Sequence, residues 1–93
     1  MRLIRWTTEA SGQLEAAVKY IQQDNPSVAR NAAQTVIERI EQLATFPDLG
    51  RPGEVAGTRE LVRPPFVIVY RSTEEIVEIL HIWHGAQDWR SGG

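Results

Sequence analysis

Both histidines of the chain, His81 and His84, fall in the segment HIWHGAQDWR (81–90), together with Trp83, Asp88, Trp89 and Arg90. An imidazole titrates near neutrality, so His84, at the end of a β-prone run, is a candidate general acid or base. The other reading is a strand-end histidine that hydrogen-bonds Asp88 or a backbone carbonyl. His81 stands three residues earlier, and the two-residue period of a strand turns it to the opposite face. The two imidazoles therefore cannot line one sheet-face site. Trp6, Trp83 and Trp89 read as closures of a core, with Trp89, if partly exposed, also suited to anchor a partner.

Other side chains could support chemistry on a phosphate. Nine of the ten basic residues are arginine, and guanidinium is the better group for bidentate contact with phosphate or carboxylate. Arg59, beside Glu60, either contacts phosphate or closes a loop through an ion pair. Arg63 and Arg71 flank the strongest β segment. Arg51, after Gly50, reads as a pin for its loop, for example against a helix C-terminus. Tyr70 either stacks on a base or sits in the core with its hydroxyl satisfied.

Composition narrows the classes. The chain has 93 residues, no cysteine and two histidines. One core is expected, over a single domain spanning 1–93, and neither a disulfide framework nor a typical zinc centre is. A net charge of -2 disfavours a protein that holds nucleic acid by bulk electrostatics. No apolar run has signal-peptide or membrane-spanning length, so a cytoplasmic protein without membrane contact is expected.

These side chains need elements to position them. RLIRW (2–6) reads as a short strand. Thr7 or Thr8 caps a helix over 8–23, in which Ala10, Leu14, Ala17, Val18 and Ile21 follow helical spacing. Asn25 and Pro26 supply the cap and first position of a second helix. It runs to about Ala44 with a wide stripe of Val28, Ala29, Ala32, Ala33, Val36, Ile37, Ile40, Leu43 and Ala44. So short a connection folds the two helices back as an αα-hairpin. FPDLGRPGEVAG (46–57) reads as a loop. Strands come next at 58–62, 66–71 and 76–83, the middle one apolar enough for the centre of a sheet. The expected fold is α+β: a β-α-α-β-β-β two-layer domain, mostly antiparallel, with the αα-hairpin on one face.

The segments LATFPDLGRPGEVAGTRELV, FVIVYR and EIVEILHIWHGAQDW closely resemble the RelE/ParE superfamily of type II toxin-antitoxin toxins, a group that includes plasmid stabilization proteins. The most specific pieces are Pro47, Gly50 and Arg51 of the loop, GTREL at 57–61, Val69-Tyr70-Arg71, and His84-Gly85-x-x-Asp88. The resemblance implies a growth-inhibiting toxin, without cofactor, neutralised by a cognate antitoxin of ParD-like or RelB-like type and meeting operator DNA only through it. Arg51, Arg71 and Trp89 are then candidate contacts with antitoxin or target.

Within the superfamily some members cut mRNA in the ribosomal A site, whereas the ParE branch poisons DNA gyrase. A nuclease needs a base, an acid and cations around the phosphate, and the candidates are His84, Arg59, Arg63 and Tyr70. Many mRNA-cutting relatives carry Arg three residues before the strand tyrosine, and basic residues between the terminal Gly and Asp. This chain has Val67, Ala86 and Gln87 there. Each such donor typically supplies a factor of about 10² to 10³ in rate. The expectation therefore leans to gyrase poisoning. A ribosome-dependent endoribonuclease and an attenuated toxin that binds antitoxin as a corepressor are the alternatives.

Overall fold

The computed structural model of the chain describes residues 1–85; Ala86, Gln87, Asp88 and Trp89 lie outside them. Strand β1 (Leu3–Trp6) leads into helices α1 (Thr8–Gln22) and α2 (Pro26–Gln42). Strands β2 (Arg51–Pro52), β3 (Arg59–Arg63), β4 (Phe66–Ser72) and β5 (Ile76–His84) complete the order. The sheet order is β1-β5-β4-β3-β2. Among the described residues only β1, joined to β5, is paired in parallel, which is the expected α+β architecture.

Local chemistry sets the helix boundaries. Thr7 Oγ1 accepts the Ala10 N–H at 3.1 Å and satisfies one of the donors left open at a helix start. The same hydroxyl donates to the Ile79 carbonyl at 2.8 Å, which ties the start of α1 to β5. Asn25 Oδ1 accepts the Val28 N–H at 3.2 Å, with Pro26 at the first helical position.

The core lies between the hairpin and one face of the sheet. Phe66, Ile68 and Tyr70 of β4 meet Val77, Ile79 and Ile82 of β5, Leu61 of β3, and Ala10, Ala17, Val36 and Ile40 of the helices. The wide α2 stripe divides. Ala29, Val36 and Ile40 are buried, while Val28 and Ile37 remain 50% and 43% exposed. The reason is that α1 packs on β5 and on α2, whereas α2 makes its main contacts with α1. On its far side α2 stands off the turn at 63–66 and leaves a cleft of about 200 Å³ beside Ala32, Arg63, Pro65 and Phe66.

Two details depart from the sequence expectation. Part of the 46–57 loop is a two-residue edge strand, in which Arg51 pairs with Glu60 and Pro52 with Arg59. An edge position tolerates proline because no ladder hydrogen bond is lost there. In addition, β4 and β5 change register between Val69 and Tyr70: Val69 faces His81 but Tyr70 faces Ile79, so Leu80 is an extra residue without a β4 partner. The bulge lets Ile79 and Ile82, three residues apart, both enter the core.

The two halves of the α2 stripe should respond differently to truncation. Ile40→Ala should lower stability by about 2–5 kcal/mol, and Ile37→Ala by less than about 1 kcal/mol, as read from urea unfolding midpoints.

Candidate functional site

The sheet has two unlike faces, and the register assigns each candidate to one. On the helix-packed face Arg59 is opposite Tyr70 at one end of β4, and Arg63 is opposite Phe66, itself opposite His84, at the other. Tyr70 and Phe66 are four residues apart, or about 13 Å at ~3.3 Å per residue. The four residues considered for RNA cleavage thus form two pairs near opposite ends of one strand.

The Arg59–Tyr70 pair holds the loop that precedes β2. The Tyr70 hydroxyl is buried; it donates to the Pro47 carbonyl at 2.6 Å and accepts the Gly50 N–H at 2.9 Å. Arg59 donates to the Gly50 carbonyl at 2.7 Å and pairs with Asp48 at 3.5 Å. Gly50 fits because it lacks a side chain: a Cβ there would lie 2.8 Å from the Glu60 carbonyl oxygen and 2.8 Å from the Tyr70 ring. Burial pushes the Tyr70 phenol above its usual value, against the opposing effect of the Gly50 hydrogen bond. At the other end of the strand, the His84 ring lies between those of Phe66 and Tyr20, with centroids 5.4 and 5.9 Å away. Arg63 is exposed at the rim of the α2 cleft.

Among the described residues, the opposite face of the sheet carries no helix. Its rows read Val62–Val67–Trp83, then Arg51–Glu60–Val69–His81, then Arg71–Glu78–Arg5. Arg51 bonds Glu60 at 3.1 Å, and Glu60 is only 3% exposed; Arg71 bonds Glu78 at 2.9 Å. So Arg51 closes onto a strand carboxylate rather than onto a helix end, and Arg59 pairs with Asp48 rather than with its neighbour Glu60. His81 stacks on Trp83, with centroids 4.8 Å apart and planes 14° from parallel. Together with Val69, Glu60, Glu54, Val55 and Thr58 they line a cleft of about 210 Å³ beneath the loop that joins β2 to β3. Val67, where relatives often carry arginine, lies in the adjoining row. Trp89, a candidate contact, lies outside the described residues.

Sequence reasoning overlooked Gln13. Its Oε1 accepts the Ile82 N–H at 2.8 Å and its Nε2 lies 3.4 Å from His81 Nδ1, so it caps the strand edge that β1 leaves unpaired. The signal was present: Gln13 sits at i+3 from Ala10, on the buried side of α1. Among the described residues no group of His, Cys, Asp and Glu could hold a metal ion, and no helix is long and apolar enough to cross a membrane.

Removal of the Tyr70 hydroxyl leaves a buried N–H and a carbonyl unsatisfied, so Tyr70→Phe should cost about 1–3 kcal/mol in urea unfolding. The pH dependence has a definite sign. The native phenol holds its proton more tightly than the unfolded one, so this contribution is complete below the unfolded value of 10.0 and is lost as pH rises through the higher native value. Alkaline unfolding of the Phe variant should lack that portion of the slope. Gly50→Ala should destabilise the same loop, by about 1–3 kcal/mol.

Comparison with known proteins agrees with this geometry. Residues 4–89 match the family described as the ParE toxin of the type II toxin-antitoxin system parDE. A putative toxin, Y4kP, of Sinorhizobium fredii is 39% identical over 88 residues, covering 92% of this chain and 91% of that protein. Toxin RelE2 of Caulobacter vibrioides is 32% identical over 87 residues, covering 94% and 99%. Among solved structures, the chromosomal ParDE system of P. aeruginosa superposes with a TM-score of 0.79 at 30% identity, over 90% of this chain and 96% of that one. The RelBE2 toxin-antitoxin complex of Mycobacterium tuberculosis gives 0.66 at 26% identity, over 89% and 96%. The chain belongs to the ParE toxin family and is a toxin of a type II toxin-antitoxin system within the RelE/ParE superfamily.

Proposed function

We infer that this toxin acts by binding, in the ParE manner, with DNA gyrase as its target, and that a cognate antitoxin holds it inactive. The observation that carries this reading is the chemistry of the open sheet face. Its cleft is lined by Glu54, Glu60, Val55, Val69, His81 and Trp83, and among the described residues no lysine or arginine lines it. Glu60 on its floor is already paired with the Arg51 guanidinium, whereas cutting requires donors placed within about 3 Å of the charge that develops on the phosphate.

The arrangement of the four nuclease candidates supports the same reading. Tyr70 and Arg59 already bond the 47–50 backbone. Arg63 and His84 lie some four residues along β4 from them. A face whose described residues present mainly valine, aromatic rings and two Arg–Glu pairs, with Arg5 at its β1 end, suits a protein surface better than a reacting phosphate.

Induced expression distinguishes the alternatives. Gyrase poisoning should give DNA breaks and an SOS response, and purified toxin should inhibit gyrase supercoiling until antitoxin is added. Codon-phased mRNA cuts in primer extension, lost in His84→Ala, would replace this reading with the ribonuclease. Unimpaired growth with folded toxin present would leave the antitoxin-binding corepressor.

A further inference from the structure

The cleft on the outer flank of α2 is walled by Val28, Ala32 and Val36 of the helix and by Pro65 and Phe66 at the β3–β4 turn. Val28 is half-exposed at its mouth, whereas Val36 and Phe66 are buried at its floor. Several polar groups around it are already engaged. The Thr35 hydroxyl donates to the Asn31 carbonyl at 2.8 Å, the Pro65 carbonyl accepts the Gly85 N–H at 2.6 Å, and the two prolines of the turn carry no N–H. Two side chains at the rim differ. Arg63 is exposed and pairs with no carboxylate, and the Asn31 side-chain amide has no hydrogen-bond partner among the described residues. The cleft is thus apolar inside, with one unpaired cation and one free amide at its edge.

We propose that this cleft receives one branched apolar side chain of the antitoxin, carried by a segment that also places a carboxylate against Arg63. The volume of about 200 Å³ accommodates one leucine, isoleucine or valine side chain and not a helix. Guanidinium and carboxylate match in a planar, two-bond geometry, and the Asn31 amide can donate to a carbonyl of the same segment. An apolar anchor ringed by polar contacts is the usual anatomy of a protein interface. A phosphate would find one cation beside an apolar floor, and a basic segment would be repelled by Arg63. The cleft lies on the helix-packed side, so its occupant leaves the open sheet face to another surface. The inference rests on the antitoxin partnership proposed above, and it is independent of gyrase as the target.

The test measures by calorimetry the affinity of the full-length toxin for its cognate antitoxin. Arg63→Glu, at an exposed position, should weaken binding by about tenfold or more and reduce its salt dependence. Val28→Asp should weaken it by about three- to tenfold; the helix tolerates this change because an acidic group in a first turn is favourable. Thermal midpoints check that both variants fold. Arg30→Glu alters net charge equally from an exposed position outside the cleft and should leave the affinity unchanged, so an equal loss there overturns the proposal. Changing one antitoxin Asp or Glu to Arg should restore binding to the Arg63→Glu toxin while weakening binding to the wild type. Wild-type affinity in either cleft variant overturns the proposal, including where that variant alters only growth inhibition or self-association, because the cleft would then belong to the cellular target or to a second copy. Toxin and antitoxin that do not associate at all would remove the partnership itself, and the proposal with it.

Discussion

The Tyr70 hydroxyl joins the central strand to the loop that leaves α2. It lies under the 47–50 segment with its proton directed at the Pro47 carbonyl and its oxygen receiving the Gly50 N–H, so one buried atom fixes both ends of a tight turn. A loop with two prolines and three glycines between 46 and 57 has little apolar surface of its own with which to settle on the sheet. The phenol, with Arg59 on the Gly50 carbonyl, replaces that missing burial by directed bonds. Buried polar groups of this kind are costly when half satisfied, which is why the motif needs glycine at 50, tyrosine at 70 and arginine at 59 together.

The path of the chain beyond this turn depends on that anchoring. Once Gly50 is placed, Arg51 and Pro52 fall in register with Glu60 and Arg59, and the Arg51 guanidinium reaches the buried Glu60 carboxylate. The chain then returns through Gly57, whose φ of +85° favours a residue without a Cβ. This path carries Glu54 and Val55 over the open face, where they become the wall of a cleft. The site on one face is therefore held in place by a hydrogen-bond cluster on the other.

Much of this order could be read in the sequence because it is local. The caps at Thr7 and Asn25, the proline at the head of α2 and the alternation in β4 each act within a few residues, and the structure places both helices and the three main strands within about two residues of where those signals put them. Face assignments were less legible. They turn on the extra residue Leu80 in β5, which no composition signal marks, and on which carboxylate each arginine finds. Arg51 with Glu60 and Arg59 with Asp48 are pairs about ten residues apart that exist only once the turn at 47–50 has formed. Val28 and Ile37 match the apolar period of α2 as well as Ile40 does, yet stay exposed, because period alone does not say how far a helix stands from its sheet.

One backbone can serve both a nuclease and a binding toxin because the open face is composed of cross-strand rows whose chemistry varies without disturbing the core. Val67 and Val69 point away from Phe66, Ile68 and Tyr70 on the same strand, so a cation at 67 would alter the reacting surface and leave the packing of the hairpin untouched. In this chain the rows hold valine, tryptophan, histidine, two Arg–Glu pairs and, at the β1 end, Arg5. Each guanidinium of Arg51 and Arg71 has a carboxylate as its strand neighbour, which cancels most of the field a phosphate would experience. The remaining character of the face is shape and aromatic surface, properties that distinguish one protein surface from another.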